Sequence, residues 1–195
     1  MKRLSAAAAL LFASAIPAFA HLDPGEHGSL AAGLSHPLYG IDHILAMVAV
    51  GIWAAMIGGR AVWAVPATFV SLMAAGYAAS FLGMPLPYVE PAILASIVAF
   101  GLLIALAAPI PAGLVLAVTG FFAVFHGYAH GSELGSAGAM AFGAGFLVAT
   151  AVLHAAGAGF GIAVQNLLDG ARGRMALRVA GGATAAYGMA LAVAG

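Results

Sequence analysis

Apolar residues run along this chain in uninterrupted stretches of about 20, broken by glycine, proline and charged residues, with no regular alternation of polar and apolar positions. That length is what an α-helix needs to cross the hydrocarbon layer of a bilayer. The stretches fall at Pro37 to Ile57, Ala61 to Leu82, Tyr88 to Ala107, Ala112 to Ala129, Ala137 to Gly161 and Met175 to Ala194. Turn-forming residues separate them: Gly58-Gly59-Arg60, Gly83 to Pro87, Pro109-Ile110-Pro111, Gly131 to Gly138 and Asn166 to Arg174. The pattern predicts an all-α, polytopic membrane helix bundle of about six transmembrane helices, occupying residues 36–195.

The first twenty residues read differently. Lys2 and Arg3 form a positive start, Leu4 to Ile16 a short apolar run, and Ala18-Phe19-Ala20 a small-x-small cleavage site after Pro17. This is the plan of a secretory signal peptide over residues 1–20; an uncleaved first membrane helix is the alternative, disfavoured by the shortness of the run. Cleavage after Ala20 makes His21 the mature N-terminus and residues 21–35 an extracytoplasmic lead carrying Asp23, Glu26 and His27.

Composition sharpens the picture. With 64% hydrophobic and 6% charged residues, the chain cannot clothe a water-soluble surface, so its exterior is made for lipid. The balanced net charge gives no reason to expect nucleic acid as a partner. Without cysteine, neither a disulfide framework nor a thiolate metal site can be built. The 27 glycines suit close helix packing in lipid.

Charge also orients the bundle. If the mature N-terminus is periplasmic, Arg60, Arg172, Arg174 and Arg178 all lie in or beside cytoplasmic loops, as positive residues of inner-membrane proteins do. The polar residues then gather near the outer surface: His36, Asp42 and His43 in the first span, Glu90 at the start of the third, and His126, His130 and Glu133 at the end of the fourth. His154 stands apart, well down the fifth span, and reads as part of a passage.

Two constellations carry the chemistry. In His36-Pro37-Leu38-Tyr39-Gly40-Ile41-Asp42-His43, a helix beginning near Pro37 would align His36, Gly40 and His43 on one face, with Met47 continuing the stripe. Asp42 could ligate a cation or orient an imidazole of another span. In Phe125-His126-Gly127-Tyr128-Ala129-His130-Gly131-Ser132-Glu133, two histidines and a carboxylate share a helical face, a common way of holding a divalent cation. Gly127 and Gly131 would let a neighbouring helix approach. A single membrane histidine is more often a hydrogen-bonded packing residue than a ligand; two clusters at matching depth favour metal. Glu90 fits either a metal relay or the positive end of a helix dipole. The methionines and aromatics read as packing or interfacial residues.

The pattern H-P-x-x-G-x-D-H at His36 to His43, joined to F-H-G-x-A-H-G-x-E at Phe125 to Glu133, closely resembles the HupE/UreJ family. Members of that family look like secondary transporters of nickel, in some cases cobalt, that serve hydrogenase or urease maturation. The resemblance implies metal-handling roles for His36, Asp42, His43, His126, His130 and Glu133, and, on placement more than motif, for His21, Glu90 and His154. It also implies the bacterial cytoplasmic membrane as location. The ion is substrate and no prosthetic group is expected; lipid, the metal and cytoplasmic metallochaperones are the expected partners. Imidazole and carboxylate donors do not exclude zinc, and nickel is favoured by the resemblance alone. Two other classes stay open: an intramembrane zinc-dependent hydrolase, with three histidines on zinc and a carboxylate base, and a metal- or haem-binding accessory protein. Two inverted halves of three spans each are also expected, since each half opens with a histidine-bearing segment.

Overall fold

A computed structural model describes residues 28–133 and 138–194, with the side chains of Ser132 and Glu133 left out. The expected signal peptide, the lead and His21 therefore lie outside the described residues. Within them the chain is helical, without strands: α1 (Leu30–Ser35), a 3-10 turn (His36–Leu38), α2 (Ile41–Ile57), α3 (Ala61–Phe81), α4 (Val89–Leu106), α5 (Ala112–Glu133), α6 (Ala139–Leu167) and α7 (Gly170–Ala194). Helices α3 to α7 are each long and apolar enough to cross a membrane. The segment Leu30–Leu38 with α2 makes a sixth if that pair, bent by 83°, counts as one span.

The bend departs from the continuous helix that the spacing of His36, Gly40 and His43 predicts. His36 and Pro37 open a short 3-10 turn, the Tyr39 amide closes it on the His36 carbonyl, and Gly40 adopts an extended conformation that caps α2. The Gly40 carbonyl then accepts the Ile44 amide and begins the new helix. A side chain at Gly40 would collide with the Asp42 carboxylate and the His43 ring, so glycine is what lets the chain turn so close to both. The last connection differs too. The break expected over Asn166 to Arg174 narrows to Leu168 and Asp169, whose carbonyl accepts the Arg172 and Gly173 amides and starts α7 at once.

Three helix pairs form the bundle, each brought together by glycine. In α2 and α6, Gly51 faces the His154 carbonyl and Gly157 faces that of Val48. In α3 and α5, Gly76 meets the Val124 backbone and Gly127 the Met73 backbone, so the pair expected at Gly127 and Gly131 does pack against a neighbour, with Gly131 against Tyr77 and Ser80. In α4 and α7, Gly101 and Gly181 do the same. Lipid tails are as apolar as leucine, so helices in a bilayer gain most by bringing their backbones close, which small residues permit. The first two pairs run parallel and the third antiparallel. Exchanging the half α2–α4 for the half α5–α7 turns α2 with α6 into α5 with α3 and α4 with α7 into itself, the pairing that inverted halves generate.

The two ends of the bundle are chemically unlike. At one, Gly58 and Gly59 terminate α2 with positive φ, Gln165 donates to the Ala55 carbonyl, and Arg178 Nε donates to the Ala105 carbonyl at 2.6 Å. Arg60, Arg172 and Arg174 lie at this end, as does a cavity of about 260 Å³ walled by Trp53, Met56, Leu103 and Ile110, among others, and lacking any histidine. The opposite end holds the start of α2 and the end of α5, where the histidines are.

Glycine packing makes a direct prediction. Gly76→Ala should destabilise the protein by about 1–3 kcal/mol through overpacking against rigid backbone. Gly182→Ala, facing open space, should be neutral or stabilise by up to about 1 kcal/mol through helix propensity. Thermal unfolding in detergent reads both, and equal melting temperatures would contradict the packing account.

Candidate metal centre

The 83° bend turns His36 back over the mouth of the bundle, where it meets His130 from the last turns of α5. His36 Nε2 lies 2.9 Å from His130 Nδ1, and His130 Nε2 lies 2.6 Å from His43 Nε2. His43 Nδ1 in turn lies 3.1 Å from the Asp42 carboxylate. Phe142 and Phe146 of α6 wall the cluster on one side, with ring centroids 5.3 and 6.1 Å from His36, and Phe146 also packs 4.5 Å from His130. His130 is buried, whereas Asp42 is partly open.

Counting protons fixes the direction of this chain. A carboxylate can only accept, so with Asp42 ionised His43 donates from Nδ1 and leaves its Nε2 lone pair outward. His130 then donates from Nε2 and accepts at Nδ1, and His36 donates from Nε2. Three neutral imidazoles are thus aligned in one sense by a single carboxylate. Carboxylate-to-Nδ1 contact is also what orients a histidine for metal binding through Nε2 and raises its basicity. Asp42 therefore serves the next residue of its own helix, not an imidazole from another span.

One turn below His130, His126 is fully buried, its ring 5.5 Å from that of His43 and nearly perpendicular to it. Its Nε2 lies 2.9 Å from Ser96 Oγ of α4. Ser96 gives its only proton to the Ile93 carbonyl at 2.6 Å, so it must accept from His126, which consequently carries its proton on Nε2 and its lone pair on Nδ1. Below it again, the Phe69 ring packs 5.5 Å from His126 and 4.9 Å from His154.

Of the residues singled out by sequence, His36, Asp42, His43 and His130 meet at one place, with His126 against their edge. Glu90 does not join them: it is exposed in the first turn of α4, and no described contact links it to a histidine. Its position there suits the helix dipole. His154 lies in the interior of α6, apart from the cluster. Glu133 ends α5, but its side chain is outside the description. Among the described residues no three histidine or carboxylate side chains are so arranged that they could hold an ion as they stand. The nitrogens point at one another, and an ion would have to replace their hydrogen bonds with coordinate bonds. Sequence reading missed Ser96, Phe69, Phe142 and Phe146. A hydroxyl in the middle of the otherwise apolar α4 is a legible signal for Ser96; the phenylalanines gave none in so apolar a chain.

The helical bundle and its histidine-lined mouth define a polytopic α-helical membrane protein with imidazoles gathered at one end. The family model described as HupE / UreJ protein matches residues 8–191. Protein HupE of Rhizobium leguminosarum bv. viciae is 47% identical over 186 residues, covering 94% of this chain and 95% of that protein. No solved structure matches. The chain belongs to the HupE/UreJ family.

If Asp42 sets the tautomer of His43, Asp42→Asn should weaken divalent metal binding by about 10- to 100-fold while leaving the helices intact. Calorimetric titration of purified protein with nickel checks this, with circular dichroism as the folding control. Unchanged affinity in a folded variant would contradict the alignment derived from the proton count.

Proposed function

We propose that this protein is a secondary transporter that carries a divalent transition-metal ion, nickel in the first place with cobalt as an alternative, from periplasm to cytoplasm for hydrogenase or urease maturation. The observation that carries the reading is the line of three imidazoles and one carboxylate drawn from α2, α5 and the bent segment before α2. Such nitrogen donors suit nickel, cobalt, copper and zinc far better than magnesium or calcium. Membership in a family associated with hydrogenase and urease nickel handling supports nickel over the other metals.

Orientation follows from charge. The arginine end belongs in the cytoplasm and the histidine end in the periplasm, so the cluster is met first by an ion arriving from outside. The ion exchanges water for His43, His130 and His36, with Glu133 and His21 as further donors and Asp42 balancing charge. Inward passage of a divalent cation is favoured by a membrane potential negative inside, worth about 2.3 kcal/mol per charge per 100 mV. Capture by cytoplasmic metallochaperones would keep the inner concentration low. The hydrolase and accessory-protein readings differ in kind: each needs a metal that stays, whereas a carrier must release it.

Uptake of radiolabelled nickel into proteoliposomes tests the proposal. Wild type should accumulate nickel above empty vesicles, and His36→Ala and His130→Ala should each lower the rate by about 10-fold or more. Absence of uptake by wild type would remove the transport claim, and equal uptake by all three the site. Metal that co-purifies in one equivalent and resists dialysis would favour the hydrolase or a fixed site. A protonated imidazole has no lone pair to offer, so occupancy is full at higher pH and lost as protons compete. Uptake should therefore decline as the external pH is lowered. A rate rising as the pH falls would contradict imidazole ligation.

A further inference from the structure

Beneath the outer cluster, the bundle interior holds imidazole nitrogens that nothing among the described residues satisfies. His126 Nδ1 and both ring nitrogens of His154 are buried without a hydrogen-bond partner, and both side chains are fully enclosed. Unpartnered buried polar atoms are rare in folded proteins because each has given up its water for nothing. A leucine in place of His154 would fill much the same space without that cost. What a neutral imidazole offers in return is a lone pair, and the hydrogen bond to Ser96 leaves the lone pair of His126 on the unpartnered Nδ1.

The two histidines share a neighbour. Phe69 contacts both rings, and one turn along α3 from it the fully buried Met73 thioether accepts a weak hydrogen bond from Thr150 at 3.8 Å. Thr150 in turn stands one turn from His154 on α6. His154 is also deep: its carbonyl packs on Gly51, roughly 12 Å along α2 from His43. Two imidazoles thus flank one aromatic ring, with a thioether one helical turn from it, on the way from the histidine end toward the arginine end.

Resting on the transport reading above, the geometry points to a second, inner cation station formed by His126 and His154, which an ion enters when the Phe69 ring packed on both turns aside. Its donors are nitrogen and sulfur with no carboxylate, so it accepts nickel or cobalt and refuses magnesium and calcium, which need oxygen ligands. The outer cluster, with Asp42 at hand, does not impose that refusal as strictly. Selection against the abundant hard cations is then exercised at depth, after capture. The step is ligand exchange alone: the ion leaves one lone pair for another, and no proton or electron moves.

The test compares wild type, His154→Leu and His154→Cys as full-length protein in proteoliposomes, reading the rate and the half-saturating concentration for nickel uptake together with the melting temperature. His154→Leu should lower the maximal rate at least 10-fold with the half-saturating concentration within twofold and no loss in melting temperature. His154→Cys, which restores a donor, should recover at least a third of the maximal rate. A His154→Leu protein transporting at the wild-type rate would overturn the station. So would Leu and Cys variants equally impaired with melting temperatures lowered alike, since that is the behaviour of a packing residue. Wild-type vesicles without uptake would instead fail the transport reading itself, and the station would fall with it.

Discussion

At the mouth of this bundle three imidazoles satisfy one another, and the arrangement of the protein's histidine end follows from that line. Three rings from α2, α5 and the bent segment share protons in a line, and the line has a sense because Asp42 can only accept. Remove the carboxylate and each bridging proton could sit on either nitrogen, so the ring lone pairs would no longer face predictably. The bend before α2, the glycine that permits it and the phenylalanines of α6 all serve to keep these rings within reach of each other.

The same logic explains the division of the bundle into two zones. Near the mouth every described ring nitrogen of His43 and His130 is engaged, and the cluster is stable as it stands. Deeper in, His126 and His154 keep nitrogens unengaged, at a cost in stability that packing alone would not select. Glycine-mediated contact between helix backbones supplies the rigidity to hold both zones in register. The pairing of α2 with α6 and α3 with α5, related by exchange of halves, gives the bundle two similar units.

Much of this could be read from the residues. Span positions, the turn residues between them and the partition of arginines and histidines to opposite ends follow from hydropathy and charge, and the helices form close to where the apolar runs lie. Reading His36, Gly40 and His43 as one helical face did not survive, because spacings of four and three fit a continuous helix and a sharp turn equally well. The sharp turn is the one found, through the 3-10 turn at His36–Leu38 and the extended Gly40, where a side chain would meet Asp42 and His43. Asp42, expected either to ligate a cation or to orient an imidazole of another span, lies against the adjacent His43 of its own helix. Ser96 decides the tautomer of His126 from a helix thirty residues away in sequence, a relation that no local pattern contains. Glu90, singled out on placement more than motif, stands outside the cluster, exposed in the first turn of α4.

Whether the three rings share one ion is the point on which the account turns, and X-ray absorption at the nickel edge of the metal-loaded protein addresses it most directly. The chain has no cysteine to add sulfur from a thiolate, so the ligand shell is simple to read. The account predicts nitrogen and oxygen neighbours with the outer-ring scattering of at least two imidazoles, reduced by one ring when His130 is replaced by alanine. An all-oxygen shell without imidazole scattering, identical in both proteins, would contradict it.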